Sequence, residues 1–164
     1  MPARDEELLQ SERDIRAKLA GHDFDFESMQ AIANIYRAAA AVRRHAERDV
    51  LAESGLSWGG FTILWVLWVW GPMETGQLAI ECDLAKGTLT GMLSTLEKQQ
   101  LVTRTRVASD RRRMLVDLTD AGTHTIADLF PRFNRFEAAM ADGLSVADKR
   151  RLAAALRHVT RNAG

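Results

Sequence analysis

The chain lacks most of the features that would staple it, bind a metal or anchor it in a membrane. Cys82 is its only cysteine, so no intrachain disulfide can form. Its four histidines are scattered, and no CxxC or HxxxH spacing occurs, so we expect neither a metal site nor any cofactor. The longest apolar run, residues 61–70, is about half the ~20 residues that a transmembrane helix needs.

Secretion and catalysis have no sequence signal either. The N-terminus is acidic where a secretion signal would be basic and then apolar, so we expect a cytoplasmic protein without a membrane partner. No nucleophile stands beside a base at a mechanistic spacing, so an enzyme is not expected. The 164 residues are 46% apolar, which is enough for the core of one domain.

Charge is balanced overall but unevenly distributed. The 22 basic residues cancel the 22 acidic ones. Residues 86–113 nevertheless carry seven basic and two acidic side chains, whereas residues 1–30 carry four basic and eight acidic ones. A locally basic segment inside a neutral molecule is a candidate for contact with nucleic acid.

Helical periodicity dominates the N-terminal half. Apolar residues recur at helical spacing over residues 3–20 and 28–53. Gly55 is predicted to end the second helix, and Ser57 to cap the next element. Residues 61–70 fit a strand by their Trp, Val and Ile content, or a helix that is buried on all sides.

Two short helices and a basic hairpin follow. Thr75 is predicted to cap a helix that ends near Cys82, and residues 86–98 form a second helix with one apolar and one small, polar, cationic face. Residues 101–107 and 114–118 read as strands around a turn, and helices capped at Thr119 or Asp120 and at Ser145 complete the chain. This order predicts a mainly α fold, in which a winged helix-turn-helix with a two-stranded β wing is flanked by long helices.

The segment after the hairpin tip carries a specific motif. Residues 110–122 read DRRRMLVDLTDAG, which fits the pattern DRR, three residues, V-x-L-T-x-x-G. With Leu96-Glu97 before it, the sequence resembles the MarR family of bacterial transcription regulators. The resemblance covers residues 28–159 and implies a helix over 61–70. It also implies a homodimer, with a winged helix over about 57–119 and dimerisation helices over about 28–53 and 120–160. The amphipathic stretch 3–20 precedes the region of resemblance, so we expect an extra N-terminal helix (1–22) before a MarR-like domain (23–164).

The resemblance also implies which residues contact a double-stranded DNA operator. The wing arginine that enters the minor groove corresponds to Arg112, and Asp110 to the carboxylate that steadies it. A planar, weakly hydrated guanidinium suits a narrow groove of negative potential. The remaining expected DNA contacts are Lys86, Thr88, Thr90 and Ser94 on the recognition helix, with Arg111 and Arg113 on phosphates.

A small-molecule effector is a further expectation from the family, whose members bind aromatic or phenolic ligands. Trp65, Trp68 and Tyr36 are the candidate ligand contacts. All four tryptophans of the chain fall within residues 58–70, and core packing is the commoner role of such a cluster. The resulting hypothesis is a repressor that a small aromatic or anionic ligand releases from a palindromic operator. Two alternatives stay open: a ligand-independent architectural or protein-interacting winged-helix protein, and a redox switch at Cys82.

Overall fold

The structure, a computed structural model, is mainly helical and describes residues 8–107 and 110–164; the side chains at 107 and 110–112 lie outside that description. The helices are α1 (Gln10–Lys18), α2 (Phe26–Ala46), α3 (Trp58–Trp70), α4 (Thr75–Glu81), α5 (Lys86–Lys98), α6 (Asp120–Met140) and α7 (Val146–Ala163), and the strands are β1 (Met73–Glu74), β2 (Val102–Val107) and β3 (Asp110–Leu118). The chain divides into two compact units, one ending at Arg43 and one running from Arg44 to Gly164. The division at residues 22 and 23 stays a prediction.

In the first unit, α1 packs on α2 around a buried carboxylate. Glu12 is 6% exposed and accepts hydrogen bonds from the Leu9 N–H (2.8 Å) and the Asn34 side-chain amide (2.7 Å). These two bonds, together with the nearby Arg37 guanidinium, favour the ionised form and hold the pKa of Glu12 below its usual range. α1 is shorter than the predicted helix over 3–20, of which residues 3–7 lie outside the described part of the chain.

The long helix predicted over residues 28–53 is present but is not uniform. Its regular part ends at Ala46, and a π-helical turn (Glu47–Leu51) and a 3-10 turn (Ala52–Ser54) continue it. Gly55 then ends it with a φ of +65°, a left-handed conformation that glycine adopts without steric cost. The predicted stop at Gly55 is confirmed.

The ambiguous apolar run is a helix, α3, at the centre of the second unit. The Ser57 hydroxyl accepts a hydrogen bond from the Gly60 N–H at 3.2 Å, so the predicted cap is confirmed. A Cβ on Gly59 would lie 2.6 Å from the Met92 sulfur, so the glycine leaves room for the end of the Met92 side chain of α5. Seven α3 residues are buried: Gly59, Gly60, Phe61, Ile63, Leu64, Val66 and Leu67.

Aromatic rings join α3 to α6. Phe61 stacks on Phe133 with ring centroids 4.2 Å apart, and Trp58 and Phe136 contact the same Phe133 ring at 5.9 and 5.7 Å. The Thr119 hydroxyl caps α6 by accepting from the Gly122 N–H at 2.9 Å, and the helix continues through Pro131. This packing fixes α6 against the winged helix.

The sheet has one strand more than predicted. Its order is β1-β3-β2, all antiparallel, with Met73 opposite Val116 and Glu74 opposite Leu115. The predicted two-stranded wing, β2 and β3, is confirmed, but β1 leads directly into α4. The extended Glu74 is therefore the N-cap of α4, and the prediction that Thr75 caps this helix was wrong, because Thr75 is already its first residue.

The last helix has a cap as predicted but little cover. The Ser145 hydroxyl accepts a hydrogen bond from the Asp148 N–H at 3.1 Å and donates one to the Asp148 carboxylate at 2.5 Å. No residue of α7 is buried, and the apolar side chains of Leu152 and Leu156 are exposed.

Within the described ranges, no single helix is long and apolar enough to cross a membrane, and only the bent pair 26–54 and 58–70 reaches that length and composition together.

Candidate nucleic-acid interface

Helices α4 and α5 form the helix-turn-helix. Leu78 and Ala79 of α4 are buried, and the Leu84 N–H donates to the Ala79 carbonyl at 2.9 Å, which closes the turn. Asp83 makes the bend with a φ of +50°, a conformation that aspartate tolerates better than most side chains. α5 then begins after Ala85, which supplies no side-chain cap.

α5 has the two faces that the sequence predicted. Leu89, Leu93 and Leu96 are buried against the unit's core. Lys86, Thr88 and Thr90 are exposed on the rest of the helix surface, whereas Ser94 is only partly exposed. The helix therefore presents a small, polar, cationic surface to the solvent.

The hydroxyl groups on this surface are oriented by the helix itself. Thr90 donates to the Lys86 carbonyl at 2.8 Å, and Ser94 donates to the Thr90 carbonyl at 3.0 Å. With its proton used in this way, the exposed Thr90 oxygen can accept a hydrogen bond from a base amino group. The Ser94 oxygen already accepts one from the Arg104 NH2 group at 3.5 Å.

Two glycines on this helix have no packing role. A Cβ added to Gly87 or Gly91 would meet no described atom within 4 Å. Each glycine inside a helix costs about 0.5–1 kcal/mol relative to alanine, so the chain gives up helix stability here. What it gains is room for another molecule to approach the α5 backbone.

The wing extends the basic surface. Its two strands pair from Val102 opposite Leu118 to Val107 opposite Asp110, with an irregularity between Arg106 and Val107. Arg106 is exposed on β2. The backbone puts Asp110, Arg111 and Arg112 at the start of β3, and their side chains lie outside the described part of the structure.

Two arginines of the basic segment are engaged by carboxylates. Arg104 on β2 donates to Glu97 on α5, and this contact raises the pKa of Arg104 and lowers that of Glu97. Arg113 on β3 donates to both oxygens of Glu74, at 2.7 Å for its Nε. Neither pair was predicted from the sequence. A partner for Arg104 could have been expected, because this arginine shares a strand face with the buried Val102.

The comparisons with known proteins agree with this architecture. The family model described as MarR family matches residues 56–114. The uncharacterized HTH-type transcriptional regulator YwaE of Bacillus subtilis (strain 168) is 32% identical over 160 residues, which cover 96% of this chain and 94% of that protein. The chain belongs to the MarR family. It is thus a DNA-binding transcription regulator, as its sequence predicted.

Solved structures of MarR-family proteins share the fold. A mutant MarR from E. coli complexed with operator DNA aligns with a TM-score of 0.75 at 19% identity, covering 84% of this chain and 99% of that one. A Bordetella bronchiseptica protein, BpsR, whose DNA binding is regulated by 6-hydroxynicotinic acid, aligns with a TM-score of 0.74 at 21% identity, covering 80% and 98%. These likenesses confirm the predicted winged helix-turn-helix.

The candidate effector residues have different surroundings in this MarR-family chain. Trp65 is partly buried and lies 5.1 Å from the Trp70 ring, whereas Trp68 is 40% exposed and lies 5.6 Å from Phe130. Tyr36 belongs to the first unit and is largely exposed. An effector hypothesis built within the second unit therefore depends on Trp65 and Trp68.

Cys82, the candidate redox residue, ends α4 at the helix-turn-helix turn. It is partly buried, and burial together with the Glu81 charge raises the pKa of its thiol to about 11. Neutral thiols are poor nucleophiles, and reactive cysteines have the opposite shift. Among the described residues, no group of three potential metal ligands lies close together.

Proposed function

We propose that this MarR-family regulator is a homodimeric, cytoplasmic repressor that a small aromatic or anionic ligand releases from a palindromic operator. The observation that supports DNA binding most directly is the exposed polar and cationic face of α5 beside a basic two-stranded wing. On this proposal, the recognition helix uses Lys86, Thr88, Thr90 and Ser94, and the wing uses Arg111 and Arg112 with Asp110 as the steadying carboxylate.

The dimer is proposed from apolar side chains that each unit leaves uncovered. In the second unit, Leu152 and Leu156 on α7 are 50% and 39% exposed. In the first unit, Met29 and Ile32 on α2 are each 41% exposed. Rows of exposed apolar side chains on a helix favour association with a second copy. A two-fold dimer also suits a palindromic site, because it presents its two reading heads about one helical turn, ~34 Å, apart.

Ligand control is proposed from the exposed aromatic rings on α3. Titration with salicylate and 6-hydroxynicotinic acid, followed by both tryptophan emission and operator binding, tests this proposal. We expect a change in emission together with about 5- to 150-fold weaker DNA binding, the usual range of allosteric coupling. The effector must bind the DNA-free form better, since equal affinity for both forms would shift nothing.

Matched tryptophan variants locate the signal. Trp68→Phe is expected to remove most of the emission change, whereas Trp58→Phe, which alters a ring packed on Phe133, should leave it in place. Emission that changes while operator binding stays constant would mean a ligand site without a switch. The ligand-independent architectural function would then explain the protein better.

The cysteine-switch alternative is tested through the thiol's pKa. Because that pKa is raised from 9.0 to about 11, alkylation of Cys82 at neutral pH should be roughly 100-fold slower than in the unfolded chain. Iodoacetamide kinetics measured between pH 7 and 10, on folded and urea-unfolded protein, give both rates. Rapid alkylation of the folded protein, with loss of DNA binding that Cys82→Ser abolishes, would favour the redox switch instead.

A further inference from the structure

Ion pairs connect the wing strands β2 and β3 to the helix-turn-helix. On β2, the Arg104 guanidinium contacts the Glu97 carboxylate of α5, and its NH2 group also lies 3.5 Å from the Ser94 hydroxyl. Both charged side chains of this pair are about three-quarters covered. Strand β2 is thus connected to the C-terminal half of α5, at Ser94 and Glu97.

On β3, the corresponding pair connects the wing to α4. Arg113 makes a two-point contact with Glu74, which is the last residue of β1 and the N-cap of α4. Two-point contacts between guanidinium and carboxylate fix orientation as well as distance. This pair is more exposed than the first, with Arg113 53% and Glu74 34% exposed.

The two pairs lie at different points along the sheet: Arg104 is opposite Val116, which still pairs with Met73 of β1, whereas Arg113 lies beyond Leu115, the last β3 residue that pairs with β1. β1 ends at Glu74, opposite Leu115, so from Met114 toward the tip β3 pairs only with β2. A two-stranded ribbon is marginally stable by itself and twists easily. Arg113 lies two residues beyond Leu115, the last β3 residue that pairs with β1, and it contacts the Glu74 carboxylate from there. The Arg113–Glu74 pair therefore braces the ribbon at the point where it leaves the body of the unit, and the Arg104–Glu97 pair connects the last rows of the three-stranded sheet to α5.

We propose that Glu74 and Glu97, through Arg113 and Arg104, are positioning residues that set the wing's angle to the recognition helix and thereby its affinity for DNA. Arg113 acts in this proposal through Glu74 rather than on a phosphate. The inference rests on DNA binding by helix and wing, as in the proposed function. It assigns a favourable role to two carboxylates that, by charge alone, repel DNA.

Electrostatic repulsion and wing positioning predict opposite effects of removing these carboxylates on DNA affinity. Removing a negative charge near DNA should tighten binding if only electrostatics matters. If the carboxylates position the wing, Glu74→Gln and Glu97→Gln should instead weaken binding, by about 3- to 20-fold, since partly exposed pairs contribute modestly and a dimer carries each one twice. The matched control is Glu81→Gln on α4, whose carboxylate contacts Gln77 and no described cation, and it should bind equally or more tightly.

The measurement is fluorescence anisotropy over a range of salt concentrations, with a palindromic duplex that the wild-type protein selects from random DNA. We expect both glutamate variants to weaken binding with the salt slope unchanged, because no phosphate contact is lost. The exchange Glu74→Arg with Arg113→Glu should restore binding to near the wild-type level. Circular dichroism melting of each variant checks that the fold is intact.

Contrary outcomes are distinct. Tighter binding by Glu74→Gln, with a reduced salt slope for Arg113→Gln, would make Arg113 a phosphate ligand and overturn the proposal for this pair. Equal binding by both glutamate variants would overturn it for both pairs. Failure of the wild-type protein to select any duplex would instead count against the proposed function.

Discussion

Replacing Gly122 with alanine is expected to destabilise the second unit by about 3 kcal/mol or more. An added Cβ would lie 2.0 Å from the Leu101 carbonyl oxygen and 2.9 Å from its carbon. That carbonyl cannot swing away freely, because it accepts the Thr119 N–H at 3.1 Å where β3 passes into α6. The clash is with backbone, so relief requires α6 to move away from the start of β2, and overpacking of this severity belongs to the upper range of mutational effects.

Urea unfolding monitored by circular dichroism measures this effect. The matched control is Gly91→Ala, because a Cβ there meets no described atom within 4 Å and helix propensity predicts a gain of about 0.5–1 kcal/mol. If Gly122→Ala unfolded at the same urea concentration as the wild type, the close approach of α6 to Leu101 would be refuted. The final glycine of the V-x-L-T-x-x-G motif would then need another explanation.

Sequence patterns predicted the elements whose signals are local. Ser57 and Ser145 were identified as caps because a hydroxyl before an apolar or acidic first turn satisfies free N–H groups, and the structure confirms both. The two faces of α5 followed from spacing alone. The apolar run 61–70 could not be resolved this way, since a helix buried on all sides has no periodic face, and the family resemblance decided it.

Features that depend on distant residues escaped prediction. β1 has only two residues, too few to alternate, and it exists because Val116 and Leu115 pair with it from more than 40 positions away. Missing β1 led to the wrong cap at Thr75 and hid the pairing of Glu74 with Arg113. The Arg104–Glu97 pair is also tertiary. The charge count over 86–113 included Glu97 but not Glu74, the carboxylate outside the segment that pairs with Arg113.

The DNA contacts and the effector residues stay predictions. Spacing and resemblance select Lys86, Thr88 and Thr90, and the structure exposes all three, but exposure by itself does not identify a base contact. The roles of Trp65 and Trp68 also stay predictions, because a partly or largely exposed ring on α3 suits either a ligand or a second copy of the chain.

Arg112→Ala is expected to weaken operator binding by about 10- to 150-fold while the melting temperature stays unchanged. A well-placed arginine contributes roughly 1–3 kcal/mol to a DNA complex, and its replacement removes no apolar side chain from the core. Anisotropy titrations with the selected duplex measure the loss. Arg151→Ala is the matched control, because Arg151 is an exposed arginine that pairs with Asp148 on α7 and belongs neither to the recognition helix nor to the wing.

Arg112→Lys separates the two ways in which this arginine can act. If it enters the minor groove, lysine should recover little affinity, because its ammonium is more strongly hydrated and costs more to bring into a narrow groove. If it only neutralises a phosphate, lysine should recover most of the affinity and keep the same salt slope. Wild-type binding by Arg112→Ala together with a large loss for Arg111→Ala would shift the motif alignment by one residue and give the groove contact to Arg111.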